Sequence, residues 1–505
     1  MADETKKAPL SVGLPEMPEE IVLAPPKRVI DWKRLFFILL GFGFFLLFYF
    51  LPGLPDAKDP AGKVFTLSWT GKLSIGLFLM AGTWWVFEVM PIGATAIAIG
   101  VFQTLFSIRT AKEALGDFLD PSVWFIFGSV VIGMAFTASG LTKRMAYKML
   151  DVVGERTTMI YLGSFIVTAA MTHLMAHTAV AAAIFPLLLA INALYTDSDQ
   201  PTKFGKGLFI GMAWVAGAGS IVTFLGAARG VAAAGMFREF TGADIGFFEL
   251  TWYMFPIGWL MVFVIYFLIV AIFRPEKERI VGLREKAKEL SRELGPMSSK
   301  EYFVIFTVAV VVGLFMINSF IPKPFSRAGI VLIATLAFFL SKTLTVEDLE
   351  AIPWNIILLF GGAMSIGFCL WQTKAAEWMA VHWLTMFLNA HWLVFVLGIA
   401  FFVLMMTNFI MNVAAIAISL PVSLVIAKYL GVEPHVILFA SLVTAGMPFN
   451  LLIGAAPNAI AYESKQFTTG EFFGYGWIAN VLLMLVLTLF VYLIWPLQGM
   501  PVLSK

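Results

Sequence analysis

Residues 171–186 read MTHLMAHTAVAAAIFP, and residues 406–421 read MTNFIMNVAAIAISLP. The two stretches align without a gap at an offset of 235 (407 − 172 = 235). Thr172 answers Thr407, His177 answers Asn412, Ala179 answers Ala414 and Pro186 answers Pro421. Each copy sets a polar cluster between two apolar arms too short to cross a membrane comfortably and return as full helices. The pattern predicts two helical hairpins, at 157–194 and 391–428, whose tips meet and hold a solute.

The rest of the chain fixes the surroundings of these hairpins. Of 505 residues, 60% are hydrophobic and 13% charged, with a mean hydropathy of +0.88. That balance excludes a soluble protein, which would lack the polar surface to cover its core. About a dozen runs approach the ~20 apolar residues that a transmembrane helix requires. The expected fold is an all-α polytopic membrane protein with the lipid bilayer as its solvent. A net charge of +2 gives no case for nucleic acid. The single cysteine, Cys369, lies in an apolar run, so neither an intrachain disulfide nor a cysteine metal cluster is available.

Spans are expected at 35–52, 73–89, 91–107, 121–140, 207–236, 250–273, 302–319, 327–341, 354–371, 435–463 and 474–496. That is about eleven crossings plus two re-entrant hairpins. Lys27, Arg28, Lys33 and Arg34 precede the first span, and Lys143, Arg144, Lys148 and Arg156 follow the fourth. The excess of Lys and Arg in cytoplasmic loops puts both groups, and the charged stretch 274–301, inside. The chain then divides into a disordered cytoplasmic tail (1–34), a first repeat (35–273), a cytoplasmic connector (274–301) and a second repeat (302–505). The expected location is the cell membrane, the inner one in a bacterium. In the connector, REKAKELSREL mixes charges at helical spacing and reads either as a solvated link or as a surface arm gripping a partner.

A second matched pair follows the hairpins. Residues 223–248 read TFLGAARGVAAAGMFREFTGADIGFF and residues 450–473 read NLLIGAAPNAIAYESKQFTTGEFF, with Phe240-Thr241 answering Phe467-Thr468 (467 − 240 = 227). Both interrupt a long apolar span, giving broken helices at 207–236 and 435–463. Leaving aside the first span, 35–52, each unit of roughly 230 residues holds five crossings and a hairpin, and the odd number inverts the second unit. Irregular backbone inside a bilayer needs partners from protein, water or solute. Inverted-repeat transporters gather such breaks at a central site, on half-helix ends. Half-helix N-termini favour anions.

The paired tips, the paired breaks and the run WVFEVMPIGATAIAIG at 85–100 resemble the divalent anion–sodium symporters, a family that moves di- and tricarboxylates or sulfate. The resemblance covers roughly 35–496. It implies a homodimer in which a transport domain slides against a scaffold as an elevator. The family carries Ser-Asn-Thr at each tip. Here the tips read Ala176-His177-Thr178 and Met411-Asn412-Val413, which keeps Thr178 and Asn412. The family's Thr-Pro-Pro-Asn breaks become Ala455-Ala456-Pro457-Asn458 and Ala227-Ala228-Arg229-Gly230.

Carried over by position, the substrate candidates are Ala176, His177, Thr178, Arg229, Asn408, Met411, Asn412, Val413, Ala455, Pro457 and Asn458. A second-repeat ion site would draw on Thr407, Asn412 and Asn458. Sodium needs oxygen ligands, and Arg offers none. The pattern therefore implies that the first sodium site is abolished and that Arg229 supplies its charge. Arg229 could also pair with a carboxylate or sulfonate. Two plainer roles stand beside these: Arg229 snorkelling to the outer interface, and His177 donating to a tip carbonyl. The lost hydroxyls make the pocket more apolar, which suits a bulkier organic anion.

The leading function is a secondary active transporter of organic anions, di- or tricarboxylate-like, working by exchange or otherwise without a full set of Na+ sites. The alternatives are a Na+-coupled dicarboxylate or sulfate symporter and an uncoupled anion permease or channel. Na+ or H+ is the candidate coupling ion, and no cofactor is expected. His173 and His177 have a zinc-like spacing but no third ligand. The chain lacks H-E-x-x-H, G-x-S-x-G and P-loop motifs, so an enzyme is not expected.

Overall fold

A computed structural model describes residues 31–58, 64–196, 200–318, 321, 325–387, 391–409 and 411–503. The expected tail therefore lies, up to residue 30, outside the described residues. Apart from a two-stranded ribbon, Ala57–Lys58 with Val64–Phe65, and isolated bridges, the regular structure is helical. Eight helices among the described residues are long and apolar enough to cross a membrane. Five shorter apolar helices accompany them: Ile92–Leu105, Thr157–Met171, Arg327–Leu340, Trp392–Asn408 and Pro434–Ala445. Several start where a side chain meets an otherwise orphaned amide. Ser68 accepts from Gly71 N at 3.0 Å, and Thr202 accepts from Gly205 N at 2.9 Å.

Both hairpins form. The first has arms Thr157–Met171 and His177–Tyr195; the second has Trp392–Phe409 and Asn412–Tyr429. Two of the four arms, His177–Tyr195 and Asn412–Tyr429, are long and apolar enough to cross a membrane, against the expectation of arms too short to do so. Pro186 and Pro421 lie inside their helices and do not end them. Apolar neighbours tolerate proline in buried helices of a membrane protein, so the arms run on past it.

The two broken helices lie head to tail. The first runs Lys203–Gly219 and resumes at Ala228–Thr241; the second runs Pro434–Ala445 and resumes at Ala456–Tyr462. At one end Thr202 N donates to Gln466 Oε1, and Lys206 pairs with Glu471. At the other end the rings of Phe237 and His435 meet at 4.9 Å. They cross where a Cβ on Gly217 would stand 2.7 Å from Gly446 O, a contact that only glycine permits. Each resumed half-helix packs on the hairpin of the other repeat. Ala228–Thr241 lies against Asn412–Tyr429, and Ala456–Tyr462 lies against His177–Tyr195.

Among the helices that were not legible as elements, two match across the repeats. Leu141–Val153 and Ala375–Phe387 precede the two hairpins at an offset of 234 (375 − 141 = 234). They are short, and the first is amphipathic, so neither gives a span-like signal. Leu141–Val153 buries Leu141, Ala146, Met149 and Leu150 and turns Lys143 and Lys148 outward. The REKAKELSREL stretch forms the helix Leu283–Glu293, which docks on it. Arg144 reaches both oxygens of Glu301, at 2.6 and 3.0 Å, and Gly282 N donates to Glu155. The connector is thus fastened to the first repeat.

Candidate functional site

The first tip is stitched to the first break. His177 N donates to Gly226 O at 3.0 Å, and its Nδ1 lies 3.3 Å from the same oxygen. Thr223, in the break, donates to His173 O at 2.7 Å and accepts from Gly226 N. A Cβ on Gly226 would stand 2.4 Å from Thr172 O. The break and the tip thereby satisfy each other's backbone polar groups inside the bilayer. His173 turns elsewhere: its Nε2 accepts from Trp259 Nε1 at 3.1 Å. The two imidazoles that share a zinc-like spacing therefore face different elements.

The second tip repeats the plan with different side chains. A Cβ on Gly454 would stand 2.9 Å from Thr407 O. Gly226 and Gly454 thus answer one another as Thr172 and Thr407 do. Asn408 Oδ1 accepts from Asn450 N at 2.9 Å and Leu451 N at 3.2 Å, and its Nδ2 donates to Leu404 O. Asn458 Nδ2 donates to Pro448 O and Leu451 O, at 2.8 and 3.0 Å. Both amides act as braces for the break. The Thr407 hydroxyl lies 2.9 Å from Asn412 Oδ1 and 3.2 Å from Ala445 O. These three oxygens form a compact set at a half-helix end, of the kind a hard cation takes.

Four helices begin around the two tips and the two breaks, after Ala176, Met411, Ala227 and Ala455. None of these N-cap residues supplies a side-chain hydrogen bond. Ala227 and Ala455 are both extended, at φ −162° and −152°. Thr178 and Met411 are half-buried, and Val413 and Pro457 are buried. His177 N, Gly230 N and Asn458 N already donate to Gly226 O, Ala227 O and Ala455 O, and the other first-turn amides without a side-chain cap are of the kind that receives an anion.

Arg229 lies in the first turn of the helix that starts after Ala227. It is 3% exposed, and its Nη2 donates to Ser220 Oγ at 2.6 Å. The same nitrogen would lie 2.9 Å from a Cβ on Gly446. Ser220 follows the last residue of Lys203–Gly219, and Gly446 follows the last residue of Pro434–Ala445. The guanidinium thus sits where two half-helices end, against the partial negative charge of both C-termini. It forms no ion pair among the described residues. The expected alternative of snorkelling outward does not hold in this structure. The helix runs on to Thr241, twelve residues past Arg229, and the side chain points back into the break.

Ser220, Thr223, Gly226, Gly446 and Gly454 escaped the sequence reading. The signal for the glycines was present in their paired positions within the two interrupted spans. No signal distinguishes Ser220 before the fold brings Arg229 to it.

Residues 63–500 match the family described as the sodium:sulfate symporter transmembrane region. The chain belongs to this family. It is a multi-pass membrane transporter and not an enzyme. The sodium-dependent dicarboxylate transporter SdcS of Staphylococcus saprophyticus is 24% identical over 453 residues, covering 85% of this chain and 87% of the relative. The protein of the same name from Staphylococcus aureus is 24% identical over 458 residues, with the same shares. Among solved structures, Neisseria gonorrhoeae MtrF, described with a class of antimetabolite efflux pumps, superposes with a TM-score of 0.55. It shares 13% identity and covers 90% of this chain and 94% of its own. Alcanivorax borkumensis YdaH superposes at 0.50, with 12% identity and shares of 93% and 98%. These structural likenesses bear on the fold alone.

Proposed function

We propose that this family member is a secondary active transporter of organic anions, and that Arg229 stands in the first repeat where a coupling cation would otherwise bind. One observation carries this reading: a buried guanidinium, unpaired with any described carboxylate, at the ends of two half-helices and in the first turn of one of the four helices that start without a side-chain cap. The C-termini hold the cation, the uncapped amides receive the anion, and the lost hydroxyls leave the pocket apolar. The first repeat then needs no sodium, and transport proceeds by exchange or uniport. The tips and breaks supply the solute site through Ala176, His177, Thr178, Met411, Asn412, Val413, Ala455 and Pro457, with Asn408 and Asn458 holding the second break in place.

The wider frame belongs to the same proposal. It comprises eleven crossings and two hairpins, a cytoplasmic N-terminus in the cell membrane, a homodimer, and an elevator whose moving part holds both hairpins with 207–273 and 435–496. A second reading has its own observation. The oxygens of Thr407, Asn412 and Ala445 suit one Na+, which would make the protein a sodium symporter with a reduced ion requirement.

Uptake of radiolabelled succinate, citrate and sulfate into proteoliposomes separates the two readings. With Na+ replaced by choline, the Arg229 reading expects uptake to persist and to be stimulated by internal substrate. Collapse of uptake in choline refutes it in favour of the symporter, and absence of trans-stimulation points to an uncoupled anion permease or channel.

A further inference from the structure

Beyond the first break lies a cavity of about 550 Å³, lined by Ser122, Phe125, Val231, Arg238, Asp244 and Arg327 among others. Val231 belongs to the helix that carries the buried guanidinium, two residues past Arg229 and on another face of it. At its far end Asp244 sits in the turn after Ala228–Thr241, and Arg327 opens the helix Arg327–Leu340. Arg327 donates to Asp244 Oδ1 at 2.5 Å and to Ile245 O. Its guanidinium carbon also lies 5.2 Å from the centre of the Phe224 ring. Phe224 belongs to the first break and is 1% exposed. One arginine thus touches both the mouth of the cavity and the break.

The other charges among the described lining residues are already engaged. Arg238 pairs with Asp120 at 3.8 Å, and Glu249 faces His435 at 3.8 Å. In the remaining pair the exposure is lopsided: the Asp244 side chain is 49% exposed and that of Arg327 is 15%. The carboxylate is the exchangeable partner, and the guanidinium is the fixed one.

We infer that this cavity is an entry vestibule for the anionic solute, and that Asp244 holds on Arg327 the place an incoming carboxylate or sulfonate takes. This rests on the organic-anion reading above. Exchanging one carboxylate for another never leaves the sheltered guanidinium unpaired, which is the expensive state of a buried charge. The guanidinium edge that now donates from Nη2 to Asp244 Oδ1 and from Nη1 to Ile245 O has the geometry to grip both oxygens of one incoming carboxylate. The vestibule thereby selects anions at the helix that carries Arg229.

The test needs no known substrate. Cys369 is the only cysteine of the chain and is buried, so Cys369→Ala gives a thiol-free background. Into it go Val231→Cys, deep in the cavity, and Ser326→Cys, at its mouth. The purified full chain is labelled with a sulfonate-bearing and a trimethylammonium-bearing methanethiosulfonate, and the ratio of the two rates is read. Asp244→Asn, which frees Arg327, should raise the ratio at residue 231 about fivefold for one unit charge across a partly hydrated cavity. Arg327→Gln should lower it by a similar factor. If Arg327→Gln fails to fold by thermal unfolding, Asp244→Asn decides alone. A ratio unmoved by Asp244→Asn overturns the inference. So does a residue-231 thiol inert to both reagents while residue 326 reacts. If the ratios shift as expected but no organic anion is taken up by proteoliposomes, the transported class is wrong and the vestibule stands.

Discussion

Replacing Gly226 by alanine tests whether the tip and the break act as one unit. The added Cβ would stand 2.4 Å from Thr172 O and 2.6 Å from Ser220 O, both backbone atoms. Carbon contacts settle near about 3.5 Å, so the overlap is large and no flexible side chain can absorb it. Gly226 is not among the positive-φ glycines, which makes the effect steric. Overpacking of this kind costs about 1–3 kcal/mol. If the strain is relieved by parting the tip from the break, the His177 amide loses its acceptor, Gly226 O. Every 1.4 kcal/mol is about a tenfold change in population, so exchange of that amide should speed up roughly tenfold or more. Hydrogen–deuterium exchange of a peptide spanning 172–180 reads this directly. Gly230→Ala is the control, because its Cβ would meet only Phe224, at 3.4 Å. Equal protection of the tip in both variants would refute the coupling of tip to break.

Three further outcomes follow from the geometry. Asn408→Ala strips the acceptor from two buried backbone amides and should cost about 2–3 kcal/mol. It should lower the melting temperature clearly, while Thr178→Ala at the first tip should leave it nearly unchanged. Arg144→Gln leaves the buried Glu301 without its bidentate partner, and a loss of about 3 kcal/mol is expected. Adding Glu301→Gln should recover part of it in a double-mutant cycle. At Glu276 burial pushes the pKa up, but the amides of Lys203 and Phe204 and the Tyr195 hydroxyl outweigh it and hold the value below 4.5. A depressed folded-state value gives stability that is present above the unfolded value and lost as pH falls through the folded one. The melting-temperature advantage of the wild type over Glu276→Gln should therefore shrink as pH drops below 4.5, and an advantage that grows would contradict this.

Much of the arrangement was legible because a repeat carries its own register. The 235-residue offset predicted that Thr172 and Thr407 hold equivalent places, and each packs its carbonyl on an equivalent glycine, Gly226 or Gly454. The hairpin limits 157–194 and 391–428 fall within a residue of the observed arms. Leu141–Val153 and Ala375–Phe387 were missed because a helix of 13 residues leaves no apolar run of spanning length. Asn408 was read as a lining residue for its type and place. Its two amide donors lie forty-two and forty-three residues downstream, where no local pattern points.

By itself, the sequence determined that the chain is spent on membrane helices, that its two halves match, and that each half breaks its helices where polar residues cluster. Those conclusions rest on hydropathy and offset, which need no coordinates. Only the tertiary structure decided what Arg229 does. A lone arginine in an apolar segment is equally compatible with snorkelling outward or turning inward, because both satisfy a charge. The crossing of two half-helices at Gly217 and Gly446 places two C-termini within its reach, and their partial negative charge fixes the direction.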